Sequence, residues 1–213
     1  MMIELGNLIL LLVVLINFYT LGTSRLVACI RAVAIQGGLL ALLPLVAHGL
    51  SLHTLILSFW ALLIKAILIP TLLTRTIREV RIRREMEPLI GFIPTLALGA
   101  LVTSGAFIFA NYLPLIAEHR GSLFIPTALA TFFSGFLLLM TRRKAITQVV
   151  GYLILENGIF IFGILLSEAM PLMVEAGVLL DMMVGIFVMG IVINQINREF
   201  STVNTERLSA LKE

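Results

Sequence analysis

Three ionisable residues of this 213-residue chain stand inside long apolar runs: Lys65, Glu156 and Asp181. Glu156 interrupts the run from Gln148 to Leu166, Asp181 the run after Glu175, and Lys65 an earlier one. A carboxylate or ammonium at membrane depth costs several kcal/mol unless it is paired, hydrated or neutralised. Two acids and a base at such depth are the parts of a proton relay. Burial and neighbouring charge bring a carboxyl into the range where it exchanges protons, and a buried lysine is adjustable in the opposite sense.

Polar neighbours extend the set. Tyr152 is four residues before Glu156 and Gln148 four before Tyr152, so the three form a ladder on one helix face, with Asn157 beside it. Gly177 and Gly185 flank Asp181 at four residues on either side, where small side chains admit a close helix or water. A bland reading stands alongside: Lys65 forms a permanent buried ion pair with one acid. The other acid is then protonated, hydrated or paired with another subunit. No catalytic, cofactor-binding or metal-binding set is visible. Cys29 is alone, which leaves no disulfide, zinc or iron–sulfur cluster, and His48, His53 and His119 fall in outer loops or at span edges.

The elements that carry these residues follow from composition. With 60% hydrophobic and 13% charged residues and a mean hydropathy of +1.09, the chain is far from soluble norms. A membrane span needs about 20 mostly apolar residues. Seven such runs are present, roughly 3–21, 26–47, 51–74, 89–112, 123–141, 145–166 and 174–197. The expected fold is an all-α polytopic membrane bundle of about seven helices with no soluble domain. At about 1.5 Å per residue, Glu156 lies about 18 Å from the inner side and Asp181 about 9 Å from the outer. Lys65 lies about 18 to 21 Å from the outer side, nearer the cytoplasm.

Charge placement gives the orientation. With the N-terminus outside and the C-terminus cytoplasmic, all 15 basic residues except Lys65 and Arg120 fall on the inner side. The pI near 9.4 is then a matter of topology, and nucleic-acid binding is not required. Glu4 and the absence of early basic residues give a retained first helix, not a cleaved signal. The charged stretch Thr76–Pro88 reads as a topological anchor or a basic platform for anionic lipid, and Asn197–Glu213 as a polar tail. Pro44, Pro70, Pro94 and Pro126 lie in or at the ends of spans. Pro70 takes the donor from the carbonyl of Ala66, which predicts a kink and a free acceptor beside Lys65.

Beyond the physical reading, Gln148–Gly158 (QVVGYLILENG) with Val174–Asp181 (VEAGVLLD) resembles hydrogenase-4 component E. That family comprises membrane subunits of formate hydrogenlyase-type, group 4 nickel–iron hydrogenases. The likeness extends to Ile64–Pro70 (IKAILIP) and Leu208–Lys212 (LSALK). The last three spans are also similar to the K subunit of complex I and the C subunit of multi-subunit sodium/proton antiporters, through Arg142–Arg143, Gly151 and Asn157. Leu153 stands where the K subunit has its first membrane glutamate, and Asp181, followed by Gly185, takes the place of the second.

The resemblance implies a four-helix part over 1–122, a three-helix part over 123–197 and a short cytoplasmic tail over 198–213. It implies a cofactor-free, non-catalytic subunit of an oxidoreductase complex in the inner (plasma) membrane, set among antiporter-like subunits and membrane lipids. Glu156, Asp181 and Lys65 would be its proton path, supported by Gln148, Tyr152 and Asn157. They would serve a hydrophilic axis that couples electron transfer to proton or sodium translocation. A scaffold whose charges pair across interfaces, an antiporter-complex subunit and a free-standing carrier are the alternatives. The last fits least, since no inverted repeat is visible.

Overall fold

A computed structural model describes residues 2–79, 89–113, 122–142 and 145–166 of the chain. The seventh apolar run, with Asp181, lies outside the described residues, as does the tail. Within them the protein is all-helical: α1 (Met2–Gly22), α2 (Leu26–His48), α3 (Leu52–Ala61), a π-helical segment (Leu62–Leu68), α4 (Ile69–Glu79), α5 (Phe92–Tyr112), α6 (Phe124–Thr141) and α7 (Ala145–Leu166). Six stretches among them are long and apolar enough to cross a membrane, α3 through α4 counting as one from Thr54 to Arg75. This is a multi-pass membrane protein, and its spans match the first six apolar runs to within a few residues.

The break between α3 and α4 has a local cause. Pro70 has no amide to give to Ala66, and its ring crowds that carbonyl. The helix takes up the mismatch by widening one turn, so that the amide of Ile69 bonds to Ile64, five residues back. The hydroxyl of Thr71 donates to the carbonyls of Ile67 (2.7 Å) and Leu68 (2.8 Å). The Thr71 hydroxyl thus adds a donor to the two carbonyls that follow Ala66, one turn before the threonine. The disturbance expected beside Lys65 takes the form of a π-helical segment, and Lys65 sits in its middle.

Helices α6 and α7 form a tightly packed antiparallel hairpin. A Cβ on Gly135 would stand 2.3 Å from the amide nitrogen of Leu155, and one on Gly158 would stand 2.5 Å from that of Phe132. Only glycine permits backbones this close, and lipid-embedded helices gain their cohesion from such contact. Two apolar clusters fill the bundle at either end. One holds Leu26, Ile30, Leu73, Leu138, Val150 and Ile154, the other Leu10, Val13, Leu40, Ala128 and Ile161. Leu153, on the α7 face turned to this cluster, belongs to the first.

Interhelical hydrogen bonds fix which ends lie together. The amide of Leu123 donates to Asn7 Oδ1 at 3.1 Å, and the His48 ring donates through Nε2 to the carbonyl of Ile164 at 3.0 Å. The starts of α1 and α6 therefore share a face with the ends of α2 and α7. Arg25, Arg75 and Arg142 gather at the opposite end, where α1 and α6 finish and α2 begins.

Candidate functional site: a buried ion pair on a π-turn

Lys65 and Glu156 are 91 residues apart and meet inside the bundle. Lys65 is 7% exposed and Glu156 6%, and the ammonium donates to Glu156 Oε1. It also donates to Asn157 Oδ1 at 3.3 Å and lies 4.9 Å from the centroid of the Phe160 ring. Carboxylate, amide oxygen and aromatic face thus surround one cation, all from a single stripe of α7. Residues 156, 157 and 160 are spaced so that one helix face presents all three.

The cation reaches that stripe because of the backbone that carries it. A Cβ on Gly37 of α2 would lie 2.8 Å from Lys65 Cβ and 3.0 Å from its carbonyl carbon and oxygen. Glycine at that point lets α2 lie flush against the wide turn, and the four-carbon stem then spans to α7. A pair of this kind must be matched closely, because removing one partner strands a charge at a cost of about 3–5 kcal/mol.

Of the remaining expected site residues, Asn157 joins the pair directly. Gln148 donates from Nε2 to the Arg142 carbonyl at 3.1 Å, at the α6–α7 connection, and Tyr152 is half-buried between it and Glu156. Asp181 lies outside the described residues.

Sequence reasoning missed a second polar cluster. Asn17 of α1 donates to Thr131 Oγ1 of α6 at 2.9 Å, and Gln36 of α2 donates from Nε2 to Asn17 Oδ1 at 3.0 Å. All three are buried. Asn17 and Gln36 are amides inside apolar stretches, a weaker mark in the sequence than a formal charge.

Arg142, in the α6–α7 connection, is only 1% exposed. Its Nη2 donates to the Leu21 carbonyl at 2.9 Å, in the last turn of α1, and its guanidinium lies 5.0 Å from the Phe92 ring centroid. A cation there meets unsatisfied carbonyls and the negative end of the helix dipole. Burial pulls its pKa below the ordinary arginine value, and the nearby Cys29 opposes that pull.

No group of three or more metal-ligating side chains occurs among the described residues. The site's chemistry is that of a paired acid and base.

Comparison with known proteins finds no matching family model and no matching solved structure. An uncharacterized protein of Mycobacterium tuberculosis is 29% identical over 192 residues, covering 87% of this chain and 86% of that protein. Hydrogenase-4 component E of Escherichia coli is 29% identical over 160 residues, covering 74% of this chain and 73% of the relative, and the Shigella flexneri protein of that name matches equally. Over about three quarters of its length, this chain is similar to hydrogenase-4 component E.

Proposed function

We propose that this chain is a non-catalytic membrane subunit of a group 4 hydrogenase complex of the formate hydrogenlyase type. Its Lys65–Glu156 pair would serve the hydrophilic axis that couples electron transfer to proton or sodium movement. Similarity to hydrogenase-4 component E supports the assembly, and the buried pair supports the role. The observation that carries the reading is an ammonium held on a widened, proline-terminated turn. Such π-turns recur at functional sites, and they give a helix a second register that a straight α-helix lacks.

In this reading Glu156 alternates between ion-paired and protonated states as charge passes, and Lys65 follows it. Asp181 is a further station, the last three spans act as a K-subunit-like part, and antiporter-like subunits in the inner membrane are the partners. The test uses Glu156→Gln and Asp181→Asn in the intact complex. Assembly on a native gel is expected to persist while ion translocation per hydrogen turned over falls. Normal translocation in both assembled variants would overturn the coupling role. Loss of the complex from the gel would favour a scaffold whose charges serve assembly.

A further inference from the structure

Helix α6 carries three hydroxyls on one buried stripe: Thr127, Thr131 and Ser134. Their spacing of four and three residues puts them on the same face. Thr131 is bonded to Asn17, and through it to Gln36. Thr127 Oγ1, Ser134 Oγ and Gln36 Oε1 are buried with no hydrogen-bond partner among the described residues. Threonine and serine in membrane helices ordinarily quiet their hydroxyls on the carbonyl of the preceding turn. Thr71, Thr74, Thr95 and Thr141 do so here. Thr127 and Ser134 depart from that habit. A polar atom left unpaired in an apolar interior is costly, and the usual resolution is a bound water with two to four polar partners.

The stripe has a direction. It starts one turn inside the face where Leu123 bonds to Asn7, and it descends to the level of Asn17 and Gln36. The next residue after Gln36 is Gly37, which lies against Lys65. The path stops there on the α6 side, since Leu138, one turn beyond Ser134, belongs to an apolar cluster. The geometry points to a water-binding half-channel formed by Thr127, Thr131, Ser134, Asn17 and Gln36. It runs along the hydroxyl stripe of α6, beside the apolar cluster of Leu10, Val13 and Ala128, from the face where α1 and α6 begin to the backbone turn that bears Lys65. Its ligand is water, and a proton would pass along it by exchange between waters and hydroxyls. That proton role rests on the coupling function proposed above, whereas the hydration does not.

The experiment is silver-ion accessibility in membrane vesicles holding the full chain, in a Cys29→Ala background. Silver ion travels where water does and blocks only thiols that can ionise. Thr127→Cys and Ser134→Cys should be blocked at least about tenfold faster than Leu138→Cys, equally buried but in apolar surroundings. Rates no faster than that of Leu138→Cys would overturn the half-channel. Should the cysteine variants fail to fold, Thr127→Val and Ser134→Ala decide the matter by thermal midpoint. Dry, unpaired hydroxyls are liabilities whose removal raises the midpoint and refutes the inference; hydrated ones give no rise. A half-channel that fills with silver while Glu156→Gln still translocates normally would separate the two readings.

Discussion

Breaking the Lys65–Glu156 pair from either side should give opposite pH dependences. In Lys65→Met the Glu156 carboxylate loses its cation in a site 6% exposed. Stranding it costs about 3–5 kcal/mol. The cost has a ceiling, because the carboxyl can instead take a proton. With an ordinary pKa of about 4.3, protonation at pH 7 costs 2.7 units at 1.36 kcal/mol each, about 3.7 kcal/mol. That ceiling drops by about 1.4 kcal/mol for each unit the pH falls. In Glu156→Gln the stranded group is the ammonium, still in contact with Asn157 and Phe160. Its escape is to lose a proton, which from an ordinary pKa of about 10.4 costs about 4.6 kcal/mol at pH 7 and becomes easier as pH rises.

The deficit of Lys65→Met therefore shrinks on acidification and that of Glu156→Gln on alkalinisation. The double variant carries no stranded charge and should be milder than the worse single variant, with little pH slope. The assay is denaturant unfolding of the detergent-solubilised chain at pH 6, 7 and 8, read as a double-mutant cycle with a coupling energy of about 1–3 kcal/mol. Additive effects, or two single variants with the same pH slope, would refute the reasoning.

Three further outcomes follow from the packing. Gly37→Ala drives a methyl into Lys65 and should cost about 1–3 kcal/mol, whereas Gly38→Ala, whose added Cβ would lie 3.9 Å from Ala66, should be neutral or stabilising; thermal midpoints compare them. Asn17→Leu strips partners from both Gln36 and Thr131 and should cost about 2 kcal/mol, and adding Thr131→Val should recover part of that loss in the same unfolding assay. Arg142→Met removes the donor to the Leu21 carbonyl and should lower the midpoint; Arg142→Lys should not restore it, because a point charge cannot both bond that carbonyl and stack on Phe92.

What the sequence made legible was what is written locally. Runs of apolar residues give spans because bilayer thickness fixes their length, so six helices fell where expected. Lys65 and Glu156 stood out because a formal charge in an apolar run has few innocent explanations. Their meeting was not legible, since it depends on α2 closing through Gly37 onto a turn 28 residues away in sequence. Pro70 announced a disturbance beside Lys65, but the widened turn depends on the Ile69 amide reaching back five residues to Ile64, which no local pattern spells out. The burial of Arg142 was not legible for a related reason. Counting charges assigns a residue to a side of the membrane, and it says nothing of whether the C-terminus of α1 arrives to receive it.

Solid-state NMR in lipid reads directly whether the Lys65 ammonium and the Glu156 carboxylate touch inside the bilayer. The chain has only three lysines, so ¹⁵Nζ-lysine with ¹³Cδ-glutamate labelling gives a sparse spectrum. A nitrogen–carbon dipolar coupling at contact distance is expected, and it disappears in both Lys65→Met and Glu156→Gln. A spectrum without that coupling, or one in which it survives either substitution, would contradict that contact.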